Sequence, residues 1–113
     1  METQEGQFAV GKNKYSYFKI ELENAVEILL YGEQERLGTV AVGTPLPDER
    51  RAISSTILGD RSRPSAAVAE AIAERFAVQK GKIAMVSCFL ETREAEEIQV
   101  TDLLRIAFDN IPL

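Results

Sequence analysis

The stretch from Ala52 to Gly81 constrains the fold most, because a strand, a turn, a helix start and a helix stop follow one another within it. Ile53 to Leu58 is rich in β-branched residues and is closed by Gly59-Asp60, the chemistry of a strand running into a turn. Ser62 or Ser65 can accept the first free helix N–H groups, and Pro64 fits a first helical turn. Val68, Ile72 and Phe76 recur every four residues as one apolar stripe, with Glu70, Glu74 and Arg75 turned away. Lys80 suits the negative end of the helix dipole, and Gly81 can take the left-handed stop. Ile83 to Leu90 then shows no polar alternation, as expected for a strand covered on both faces.

Upstream, the pattern predicts hairpins. Gln7 to Val10 is a short apolar run, Gly11 to Lys14 is turn-forming, and Tyr15 to Leu22 reads as the second strand. Val26 to Tyr31 alternates as a third strand, and Leu37 to Gly43 follows the polar loop 32–36 as a fourth. A three-residue loop at Glu23-Asn24-Ala25 would pair Leu22 with Val26, Ile20 with Ile28 and Phe18 with Leu30. A two-residue loop would set Ile20 opposite Glu27 and is rejected on that ground. Pairing Tyr31 with Leu37 then gives a core face of Phe18, Ile20, Leu22, Val26, Ile28, Leu30, Val40 and Val42. The opposite face carries Tyr17, Lys19, Glu27, Leu29, Tyr31, Leu37, Thr39 and Ala41, too apolar and aromatic for a plain solvated surface. Residues 44–51, with two prolines, read as an exposed loop.

Val100, Leu103, Leu104, Ala107, Phe108 and Ile111 form a second helical stripe, ended by Asn110 and Pro112. Its start is open between Thr92, followed by Glu94, Glu96 and Glu97, and Thr101-Asp102. The order is therefore five strands, a helix, a strand and a helix. The expected class is α+β, a six-stranded antiparallel sheet with both helices on one face. No linker or repeat divides residues 1–113, so one domain is expected, with the polar residues 1–6 outside its ordered part.

Composition narrows the chemistry. With no histidine and one cysteine, Cys88, the chain has no His-based general base, nucleophile triad, cysteine-built zinc site or internal disulfide. The net charge of −5 argues against nucleic acid or an anionic membrane as the main partner. No apolar run is long enough to span a bilayer, and a cytosolic setting is expected. Ser54, Ser55 and Thr56 lack the flanking motifs of a nucleophile, so no enzyme activity, metal or cofactor is expected. Arg61 and Arg63 beside a helix start offer an alternative reading as a small-anion sensor, although only Gly59 is present of any phosphate-loop fingerprint.

The run Ile53-Ser-Ser-Thr-Ile-Leu-Gly-Asp60, with Ser62 and the alanine-rich helix behind it, resembles the proteasome assembly chaperone 4 family. Ala84 to Leu90 is similar to that family's final strand. The front of the chain, Leu37 to Val40 and Leu103 to Phe108 also resemble its partner family, proteasome assembly chaperone 3. The resemblance implies six strands with two helices, and a non-enzymatic chaperone that dimerises, with itself or a paralogous subunit, and helps assemble the α-ring of the 20S proteasome from its α subunits. It marks Leu58, Gly59 and Asp60 as the family turn. The open face makes Tyr17, Leu29, Tyr31, Leu37, Thr39 and Ala41 the expected dimer interface. The end, Asn110-Ile111-Pro112-Leu113, lacks the tyrosine of the tail that another class of proteasome chaperone inserts into α-ring pockets.

Overall fold

The computed structural model describes residues 1–91 and 99–113. Six strands form one sheet: β1 (Glu2–Val10), β2 (Asn13–Glu21), β3 (Ala25–Tyr31), β4 (Thr39–Pro45), β5 (Ala52–Leu58) and β6 (Ile83–Phe89). Helices α1 (Pro64–Lys80) and α2 (Val100–Asn110) share one core with it. The α+β class and element order are those read from the sequence. The spatial order is β1-β2-β3-β6-β4-β5, and β3 and β6 run parallel while the other pairs are antiparallel.

The sheet is thus mixed, and the expected hairpin between the third and fourth strands does not form. β6 takes the place beside β3, matching Val26 with Ala84, Ile28 with Val86 and Leu30 with Cys88. A parallel neighbour requires a long crossover, and β4, β5 and α1 together provide it. At the front, β1 begins at Glu2 and pairs along its whole length with β2, so the first polar residues belong to the sheet.

The β2–β3 register also departs from expectation. Tyr17 faces Leu30, Lys19 faces Ile28 and Ile20 faces Glu27, with Leu22 N–H donating to Ala25 O across the turn. This is the arrangement rejected above, and a one-residue slip reverses the face of every β2 side chain. Tyr15, Tyr17 and Lys19 lie under the helices, and Phe18, Ile20 and Leu22 do not. The misleading residue is Lys19. Its stem is buried at 2% exposure, while its ammonium donates to Pro112 O at 2.6 Å, stands 5.6 Å from the Phe76 ring centre and 3.8 Å from Glu21. Burial, and secondarily Lys80, lowers the Lys19 pKa, against the pull of Glu21 and Glu2.

The α1 stripe is as expected, with Val68, Ile72 and Phe76 buried on the sheet. Its start differs: Arg63 is the N-cap, without a side-chain cap bond, and Asp60 organises the turn by accepting the Ser62 N–H and hydroxyl. Ser65 lies within the helix and shares a 2.9 Å hydrogen bond with Thr39. Gly81 ends the helix with φ 65°, its N–H donating to Ala77 O. Beneath α1, β4 presents Ala41 and Gly43, not Val40 and Val42. A Cβ at Gly43 would lie 2.5 Å from Ala73 O, so no larger residue fits there. Leu103, Ala107 and Ile111 seat α2 in the same core. The earlier helix start weighed at Thr92 to Glu97 falls outside the described residues.

Ile28, fully buried at the centre, should lose about 2–5 kcal/mol of stability on truncation to alanine, read from urea melts. Lys19→Met keeps the stem but removes the donor to Pro112 O, so a loss of about 1–3 kcal/mol is expected. Faster amide exchange should then appear in α2, and unchanged protection there would show that Lys19 does not hold the C-terminal segment. Because the folded-state pKa of Lys19 is lowered, the unfolded chain binds more protons. Its contribution to stability therefore rises with pH from that lowered value to about the ordinary 10.5, and Lys19→Met should lack this slope.

Candidate interaction surface

Side chains alternate across the sheet, so the residues between those of the core form the opposite face. Register assembles them into cross-strand rows. One runs Glu5, Phe18, Leu29, Ser87, Val40; the next runs Thr3, Ile20, Glu27, Met85, Val42, Ser55. Ile53, Ile57 and Ile83 extend this surface and are 59%, 60% and 46% exposed. No helix among the described residues covers it. The sequence expected the last strand to be covered on both faces, but Ile83 and Met85 are open.

The loop between β3 and β4 turns one end of this face into a groove. Gly38 approaches the backbone of Cys88 and Phe89 so closely that a Cβ would collide with the Cys88 carbonyl. Its N–H donates to Ser87 Oγ at 2.9 Å, and the Arg36 guanidinium lies 5.4 Å from the Phe89 ring centre. The groove beside this loop, about 470 Å³, is lined by Phe18, Leu29, Tyr31 and Leu37 with Glu5, Glu35 and Arg36. Burial, then the carboxylates of Glu35 and Glu5, raises the pKa of the Tyr31 phenol and keeps it neutral.

Of the six residues expected at an interface, Leu29, Tyr31 and Leu37 line this groove. Tyr17, Thr39 and Ala41 lie on the other face, and the expectation is corrected for them. Tyr17 packs over Gly6, Thr39 bonds Ser65, and Ala41 is fully buried in the helix-side core. The β2 slip accounts for Tyr17, and the demand for small residues beneath α1 accounts for β4. Sequence reasoning missed Phe18, Ile20 and Val42, which it assigned to the core, and did not consider Ile53, Ile57, Ile83 and Met85. The available signal was size: Ala41, Gly43 and Ala84 alternate with bulkier neighbours.

The turn Leu58-Gly59-Asp60 closes β5. Gly59 has φ 105°, and a Cβ there would lie 2.8 Å from Thr39 Oγ1, so this glycine answers both a backbone and a packing demand. Arg63 stands 3.9 Å from Asp60, while Arg61 turns back to the Thr56 carbonyl at 3.4 Å. The two arginines do not converge on one anion position. Ser54 and Thr56 donate to Glu74 and Glu70, and Cys88 is buried. Among the described residues no cluster of His, Cys, Asp or Glu is arranged to hold a metal ion, and no helix is long and apolar enough to cross a membrane.

No family model and no curated protein matches the chain. A solved structure does: a chain of a novel chaperone complex for yeast 20S proteasome assembly superposes with a TM-score of 0.73 at 11% sequence identity, covering 96% of this chain and 92% of that one. At that identity, the likeness is one of fold.

Proposed function

We propose that this chain is a non-enzymatic assembly chaperone that pairs through its open sheet face, with a second copy or a paralogous subunit, and promotes formation of the 20S proteasome α-ring. The observation that carries the reading is the nearly full-length likeness of fold to a subunit of a proteasome-assembly chaperone complex. The Leu58-Gly59-Asp60 resemblance points the same way.

The physics of the open face supports the pairing step. The apolar groups that this face leaves open, among them Leu29 and Phe18 toward one side, Met85, and Ile53 and Ile57 toward the other, gain about 25 cal/mol for each Å² removed from water, around the carboxylate of Glu27. A second sheet laid over it makes a sandwich with helices outside. Glu5, Glu35 and Arg36 border the groove, as charges border the apolar centre of many interfaces. The anion-sensor alternative has no comparable support, since Arg63 already faces Asp60.

Leu29→Glu together with Met85→Glu should give a folded monomer, because each would bury a carboxylate against an apolar partner. Light scattering after size exclusion reads the mass, and circular dichroism reads the fold; a folded double variant that still dimerises would place the interface elsewhere. For the chaperone role, recombinant proteasome α subunits are mixed with the purified chain and ring formation is followed by native mass spectrometry. Higher ring yield with the parent chain than with the monomeric variant is expected. A chain that neither binds α subunits nor raises the yield overturns the proposal.

A further inference from the structure

β5 closes one side of the sheet. It pairs with β4 alone, and its seven residues, Ala-Ile-Ser-Ser-Thr-Ile-Leu, contain no charge, proline or glycine. Edge strands are ordinarily guarded against strand addition by charges, prolines, bulges or a covering segment. The opposite edge, β1, follows that rule, with Glu2 and Glu5 in its span and α2 packed against it. On β5 the guards among the described residues lie toward its end: the β4–β5 register shifts opposite Val40 and Ala41, skipping Ile57, and the Arg61 guanidinium reaches the Thr56 carbonyl at 3.4 Å, a long contact that an incoming strand can replace.

The two sides of this edge differ in chemistry. Toward α1, the Ser54 hydroxyl donates to Glu74 at 2.8 Å and the Thr56 hydroxyl to Glu70 at 3.0 Å. Strand positions two apart and helix positions four apart share a rise of about 6–7 Å, so the carboxylates form a ladder along the strand. Each has spare acceptor capacity, and neither has a cationic partner within 4 Å among the described residues. Arg75, next to Glu74, is instead held over the Phe108 ring at 4.4 Å. Toward the open face, Ile53 and Ile57 stand exposed.

We infer that the β5 edge is a strand-addition site for an extended segment of another protein, one that alternates basic side chains toward Glu70 and Glu74 with apolar side chains beside Ile53 and Ile57. Main-chain hydrogen bonds supply affinity in such additions, and alternate side chains supply selectivity. A second copy of β5 is a poor occupant. Antiparallel self-pairing places both helices on the same side of the joined sheet, where the two acidic ladders repel. The main-chain contacts are made at the sheet edge, so the two readings can be tested separately even though the apolar side of this site shares Ile53 and Ile57 with the open face.

The test uses the full-length chain and a fluorescein-labelled peptide, Lys-Ile-Lys-Val-Lys-Ile-Lys, with binding followed by fluorescence anisotropy at low salt. Saturable binding is expected, with amide shifts in ¹⁵N spectra centred on residues 52–58. Glu70→Gln with Glu74→Gln, which keeps the hydroxyl hydrogen bonds, should weaken it about tenfold. The peptide with glutamate in place of lysine should not bind, and of the two alternate-amide N-methylated forms of the basic peptide, the one whose methyl groups face β5 should not bind while the other should. Absence of saturable binding by the basic peptide overturns the inference. So does binding that survives both methylation patterns, indifference to the paired glutamine substitutions, or shifts centred on Leu29 and Met85. Light scattering reads the face and the peptide reads the edge, so either reading can fail alone.

Discussion

The structure depends on how closely α1 approaches the middle of the sheet. Gly43 meets the Ala73 backbone directly, and Ala41 and Ala84 share the core with Ala69, Ala73 and Ala77. Small residues must face the helix there, and strand alternation then sends their bulky neighbours outward. Val40 and Val42, Ile83 and Met85, and Ile53 and Ile57 are the consequence. The same contact that seats the helix moves the sheet's apolar surplus to the face without one.

At the other end of the sheet the spacing is filled by size. Tyr15, Tyr17, Ile28 and Leu30 pack with Phe76 and Leu103, and a charged cluster fastens the margin. Glu21 pairs with Lys80 at 3.1 Å and Lys82 at 3.1 Å, joining β2 to the end of α1 and the start of β6. The Lys80 hydrogen bond first, then Lys82, holds the Glu21 carboxyl below its ordinary value near 4.5. That contribution to stability is present above about pH 4.5 and is lost as pH falls through the lowered value. Lys19 is the buried member of the group, and its bond to Pro112 O ties the C-terminal segment to the same corner.

Local patterns were readable where one residue class occupied one side of an element. The α1 stripe of Val68, Ile72 and Phe76, the α2 stripe of Leu103, Ala107 and Ile111, and Val26, Ile28 and Leu30 on β3 all face the core as their periodicity says. Register was not readable on β2, because both of its faces are apolar enough to be buried and the charged residue, Lys19, belongs to the inner one. The β3–β6 pairing escaped because neighbours in sequence are ordinarily neighbours in space, and nothing local to Tyr31 or Thr39 records that β6 comes between them. Leu29 and Tyr31 lie on the open face because β3 alternation was right, whereas Leu37 reaches the same groove from the loop before β4 although the expected Tyr31–Leu37 pairing does not form. Tyr17, Thr39 and Ala41 went with the wrong β2 register and an unconsidered close approach.

The open face is also polarised, and this bears on how it can be covered. Its β1–β2 side carries Glu5, with Glu35 from the loop beside the groove, whereas β4 and β5 contribute only apolar and hydroxyl side chains. Two copies can lie sheet to sheet about a two-fold axis that runs either along the strands or across them. An axis across the strands sets each acidic side against its own copy, where like charges repel in a partly desolvated gap. An axis along the strands lays the acidic side of one copy over the uncharged β4–β5 side of the other and brings β3 and β6 to the middle, where Leu29 and Met85 lie beside the Glu27 carboxylate. A paralogous partner escapes this choice by carrying basic residues opposite Glu5 and Glu35. For the pairing proposed above, the placement of Glu5, Glu27, Glu35 and Arg36 therefore bears on whether a second copy or a paralogous subunit fits the face better.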